Sequence, residues 1–167
     1  MADAILTHLL ISVLLGFLPI SEVRGAIPYA LVVGDGNMHF MGIYILGGVL
    51  ANLSIAPIAL NILALVERII MSNRFPRRIR RIYFKIVETA MKKAQRMEKV
   101  TFISLILFVG IPLPVSGAWT GSLIAFLLRM DKKKAILGIS LGVVIASFIV
   151  FIVSYFGISI LKALFII

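Results

Sequence analysis

Two runs of 27 residues, 40–66 and 135–161, contain no Asp, Glu, Lys or Arg. About 20 apolar residues in helix cross the ~30 Å hydrocarbon core of a bilayer, so each run is long enough to span. The solvent of such a chain is lipid. Composition agrees: 61% of the 167 residues are hydrophobic, 14% are charged, and the mean hydropathy is +1.11. A soluble domain needs more charge to cover its surface. Backbone in lipid must satisfy its own N–H and C=O groups, and apolar runs of this length do so as helices. The reading is an all-α, multi-pass integral protein of the cell membrane, its bilayer the first partner.

The net charge of +10 is unevenly spread. Eleven of the seventeen Lys and Arg fall in residues 68–99, against Glu88 and Glu98. Clustered basic residues beside a span mark the cytoplasmic face. No aromatic and basic platform accompanies them, so nucleic acid is excluded as a partner. Ile79, Ile82, Ile86, Ala90, Ala94 and Met97 recur at helical spacing through this stretch. That pattern predicts a basic amphipathic linker helix, residues 71–99, lying on an anionic leaflet.

The chain contains no cysteine, and His8 and His39 have no metal-ligand spacing around them. No metal or cofactor is expected. No nucleophile and base pair stands out either, so the chain is not read as an enzyme. "MADAILTHLL" lacks the basic start of a signal peptide and is taken as mature chain.

Around the long runs the sequence repeats at about 95 residues. "LPIS" at 18–21 before Gly25-Ala26 matches "LPVS" at 113–116 before Gly117-Ala118, and Gly48-Val49 faces Gly142-Val143. The chain is expected to be one membrane domain: repeat one 1–70, the linker, and repeat two 100–167. In each half a broken apolar segment precedes a long helix, near 39–70 and 135–161. The breaks fall at Pro19, Pro28, Pro112 and Pro114, where helical hydrogen bonding is interrupted. The pieces between breaks, 25–33, 100–110 and 117–128, are too short to cross. They predict re-entrant hairpins that enter the membrane and return, one per half. Residues 3–18 are the longest such leg, and a full tilted crossing stays open there. One full crossing per half then makes the repeats inverted. Asn37 and both termini would lie outside, and residues 129–134 would share the cytoplasmic face with the linker.

Irregular backbone at membrane depth must be buried or line a wet cavity. The two tips are therefore expected to meet near the midplane. The first tip differs from the second by three extra residues, Glu22-Val23-Arg24. Charges there must pair or face water. Two roles are open for them, an ion pair holding the tip or a substrate and proton site. Arg24 suits a phosphate or carboxylate as a planar donor, and helix starts near Ser21 and Ser116 would add positive dipole ends. Glu22 is the candidate proton carrier. Gly117 permits close approach, Trp119 could stack on a ligand, and Asn52 and Asn61 on the first long helix are candidate lining groups. Gly138, Gly142 and Ala146 form a small-residue edge for helix packing.

At "SEVRGAIP" and "GIPLPVSGAWTG" the sequence resembles the small multidrug export protein family over nearly its whole length. That family is similar to the DedA (VTT-domain) membrane proteins, which carry re-entrant hairpins in an inverted repeat. The resemblance implies transport, and the DedA relatives imply lipids and polyprenyl phosphates as cargo, often with proton coupling. DedA proteins also carry arginine in the second hairpin, where "GIPLPVSGAWTG" has no charge. The expected activity is translocation of an amphiphile with an anionic head group, with protons as a coupled ion. The alternatives are a proton-coupled exporter of small cationic drugs and a membrane assembly protein. A second copy of the chain is an admissible partner.

Overall fold

The computed structural model describes residues 2–34, 37–72, 81–85, 87–89, 102–113 and 116–165. Seven helices are named here: α1 (Ala2–Phe17), α2 (Glu22–Val33), α3 (Met38–Leu53), α4 (Ile55–Met71), α5 (Phe102–Gly110), α6 (Ala118–Leu127) and α7 (Lys132–Phe165). Residues 81–85 and 87–89 are also helical, and no strand occurs among the described residues. The rest of the expected linker helix, the turn residues 35 and 36, and the break at Pro114 lie outside the described residues.

Two stretches are long and apolar enough to cross a membrane, Met38–Met71 and Lys132–Ile160. Only 28% and 33% of their most apolar windows are buried within the protein, which is too little for core helices of a soluble fold. Leu46, Leu50, Phe148 and Val153 instead point outward from them. The chain is a membrane protein.

The first long stretch is not one helix. It breaks at Ser54 into α3 and α4. Pro57 has no N–H for the Leu53 carbonyl, and its ring crowds that turn. At the break the Ser54 hydroxyl donates to the Ala51 carbonyl at 2.6 Å. Pro28 departs from expectation the other way, because α2 runs straight through it. The lost bond falls on the Arg24 carbonyl in the helix's first turns, where one missing donor does not end the helix. Pro19 and Pro112 do stand in the turns, between α1 and α2 and just after α5.

The helices pack in matching sets. Helix α1 lies on α2 and α3, and α5 lies on α6 and α7; α2 also crosses to α7, and α6 crosses to α4. Glycines set the close approaches in both sets. A Cβ at Gly48 would stand 2.6 Å from the Ala26 Cβ and 3.0 Å from the Ser12 hydroxyl. In the second set, a Cβ at Gly142 would stand 2.6 Å from the Val109 Cβ. The buried core, including Ile27, Ile55, Leu105, Ile139 and Val143, fills the space between the two sets. Near the start of α1, His8 Nδ1 and the Tyr29 hydroxyl are 2.7 Å apart, tying α1 to α2.

Candidate functional site

The α1–α2 turn and the α5–α6 turn meet, and the residues that join them are the charged pair and the tryptophan. Helix α2 begins at Glu22 rather than at Gly25, so the pair sits in the helix's first turn and not in an extended tip. Residues two apart on a regular helix point to different sides. Glu22 escapes that rule because its backbone is left-handed, φ 48°. This conformation costs a non-glycine residue about 1–2 kcal/mol. It aims the carboxylate across the turn toward the other helix pair.

There it meets the N-terminus of α6. The first N–H groups of a helix have no partners within it and carry partial positive charge. The residue that would cap α6 is Gly117, which has no side chain to do so. Glu22 takes its place: the Trp119 N–H donates to Glu22 Oε1 at 3.4 Å, and the Ala118 N–H also faces the carboxylate. Gly117 is required by the same contact, since a Cβ there would run into that carboxylate. Arg24 completes the tie. Its Nη2 donates to the Ser116 carbonyl at 2.7 Å and lies 3.5 Å from Glu22 Oε2. The Trp119 indole N–H donates to the Phe17 carbonyl at 2.8 Å, with the Phe17 ring edge-on at 5.5 Å.

Four of the expected site residues therefore converge with Glu22: Arg24, Ser116, Gly117 and Trp119. Ser21 is near but turned to its own tip, donating to the Leu15 carbonyl at 2.5 Å. The Ser116 hydroxyl does likewise with the Ile111 carbonyl at 2.5 Å, so it is the Ser116 carbonyl that faces Arg24. Asn52 is fully buried, and its Nδ2 donates to the Gly16 carbonyl at 2.8 Å while Oδ1 has no partner. Asn61 stands apart and exposed, holding the Pro57 carbonyl at 2.8 Å and accepting from Lys132 Nζ at 2.6 Å.

Beside the junction opens a cavity of about 450 Å³. Pro19 and Arg24 line it from the first turn, Ala59, Ile62 and Leu63 from α4, and Trp119, Thr120 and Leu123 from α6. Its size lies in the range of small-molecule sites. One guanidinium and the Thr120 side chain stand in an otherwise apolar and aromatic wall, an arrangement suited to a ligand with an anionic end and an oily body. The α4 wall and Leu123 were not singled out in the sequence. Apolar residues within an apolar span give no signal there, and only the three- and four-residue spacing of Ala59, Ile62 and Leu63 places them on one face.

A family model described as "Putative small multi-drug export protein" matches residues 22–149, beginning at the buried glutamate. No curated protein and no solved structure matches the chain.

Proposed function

The chain belongs to the small multi-drug export protein family, and from that premise we propose that it translocates an amphiphile with an anionic head group. The observation that carries this reading is Arg24 in the wall of the cavity. The head group would bind the guanidinium and the chain would lie against Ile62, Leu63, Leu123 and Trp119. Glu22 offsets part of the arginine's charge, so a head group gains attraction without leaving a bare cation when it departs.

Re-entrant helices in an inverted repeat suit this cavity. At 1.5 Å per residue, α1 and α2 reach roughly 24 and 18 Å, and α5 and α6 roughly 14 and 15 Å, all short of about 30 Å. The matched packing of the two helix sets, with α2 on α7 and α6 on α4, supports the same reading. Cysteines introduced singly into this cysteine-free chain test it. Asn37→Cys is expected to label from one side, and Arg80→Cys and Lys133→Cys from the other. Ser21→Cys and Ser116→Cys should react with small reagents alone. Labelling of Arg80→Cys and Lys133→Cys from opposite faces rules the arrangement out.

The substrate is tested in liposomes with a labelled polyprenyl phosphate and, separately, a cationic dye. Arg24→Gln is expected to cut phosphate transport at least ten-fold, about 1.4 kcal/mol or more of lost interaction, with the fold intact. Glu22→Gln should keep binding, because an amide oxygen still accepts from the Trp119 N–H, and should remove any dependence on pH. The family description favours a second reading, export of cationic drugs with Glu22 as the shared proton and drug group. Loss of dye efflux in Glu22→Gln, with Arg24→Gln harmless, would establish that reading instead.

A further inference from the structure

The cavity lies in the seam between α4 and α6, and the same seam is tied a short way beyond it. Glu67, one turn past Leu63 on α4, meets Arg129 in the turn after α6. The guanidinium binds both carboxylate oxygens, Nη1 to Oε2 at 2.8 Å and Nη2 to Oε1 at 2.5 Å. Two parallel bonds of this kind fix orientation as well as distance. Arg129 adopts a left-handed backbone, φ 54°, to present its side chain there. A second bond crosses alongside, from Lys132 Nζ at the start of α7 to Asn61 Oδ1 on α4, 2.6 Å. Tyr83 approaches the ion pair without completing a hydrogen bond of good geometry.

Among the described residues these ties are absent from the matching seam. Helix α2 packs on α7 as α6 packs on α4, yet no ion pair joins α2 to α7 among the described residues. The position 95 residues before Arg129 is Gly34. Among the described residues the polar closure is built on one side of the molecule.

We infer that Glu67–Arg129 and Asn61–Lys132 form a latch that ties α4 to the α6–α7 turn and the start of α7 at the end of the seam, and that the cavity opens toward the face of Arg129 and residues 132–134 only when the latch is released. The inference rests on the cavity being the substrate site. An anionic head group reaching that face meets Arg129 and Lys132 first and competes with Glu67 and Asn61 for them. The chemical class that fits the cavity is then also the class that opens it. Exposed ion pairs contribute little to stability, which suits a contact that must break in every cycle.

The test reads access and not transport. Ala59, buried in the cavity wall, becomes the single cysteine in Ala59→Cys. The protein is reconstituted in liposomes and exposed to a small membrane-impermeant thiosulfonate from either side. Glu67→Gln is expected to raise the labelling rate from the Arg129 face by about two- to five-fold, as for loss of an exposed ion pair. The exchanged pair Glu67→Arg with Arg129→Glu should return it toward the slow rate. Lys132→Gln, which leaves the ion pair whole, should give a smaller rise and serves where Glu67→Gln does not fold. Unchanged labelling in the folded variants overturns the latch. Faster labelling without any change in polyprenyl phosphate transport keeps the latch and removes the transport reading. Altered transport with unaltered labelling removes the latch.

Discussion

Gly117→Ala is expected to reproduce the loss of Glu22 although it leaves every charge in place. The added methyl would stand 2.6 Å from Glu22 Cδ and closer still to its carboxylate oxygens. The side chain that must yield is flexible, so the helices do not part. The carboxylate moves, and α6 loses its only capping acceptor seen among the described residues. Loss of a cap costs about 0.5–2 kcal/mol, and Arg24 loses its nearby anion at the same time. The midpoint of thermal unfolding should fall by about 1–8 °C, taking roughly 2–4 °C per kcal/mol for a chain of this size. Transport should fall at least as far as in Arg24→Gln. The diagnostic result is non-additivity: Gly117→Ala added to Glu22→Ala should do little more harm, because the clash has no partner left. Additive losses would mean that Gly117 matters for some other reason.

Gly16→Ala should be the most destabilising alanine substitution at the helix crossings. Its Cβ would overlap the Gly48 carbonyl oxygen and lie 2.8 Å from the carbonyl carbon and 2.9 Å from Cα, all backbone. Backbone cannot rotate away, so α1 and α3 must separate, and overpacking of this sort costs about 1–3 kcal/mol. The Asn52 bond to the Gly16 carbonyl, 2.8 Å, would be strained with it. Gly110, 94 residues later, is the control. A Cβ there meets the Ile145 side chain at 3.3 Å and the Gly142 carbonyl oxygen at an ordinary 3.6 Å, and Gly110→Ala should cost less than about 1 kcal/mol. Equal effects at the two glycines, measured as detergent unfolding midpoints, would show that the two crossings are not packed as described.

The long apolar runs carried the membrane assignment, the position of α7 and the stretch that α3 and α4 share, though not its break at Ser54, because length and apolarity report on solvent and not on where a proline interrupts the turn. The repeated "LPIS" and "LPVS" motifs marked the two turns that meet. What the sequence could not show is that Glu22 serves a helix 97 residues away. A capping residue is sought beside its own helix, and Gly117 offered no reason to look elsewhere. The same blindness applies to Pro28, whose effect depends on which carbonyl loses a donor. Glu67 and Arg129 each look like ordinary interfacial charges until the fold sets them face to face. Asn61 drew notice as a polar group in an apolar span, and its partner turned out to be Lys132 at the start of the other long helix, α7, not the tip.

The cap that Glu22 provides also has an order in time. Glu22 leaves the ribosome well before the Trp119 N–H that it holds. At roughly 5–20 residues per second, the glutamate waits about 5–20 s for its partner. In the proposed re-entrant arrangement, the first helix pair carries a charge into the bilayer during that interval with only Arg24 and water for company. The newborn first half is therefore the vulnerable species in biogenesis, and the second half acts toward it as a built-in chaperone. Synthesised alone, residues 1–70 should be short-lived in the cell, and co-expression of residues 71–167 should rescue them.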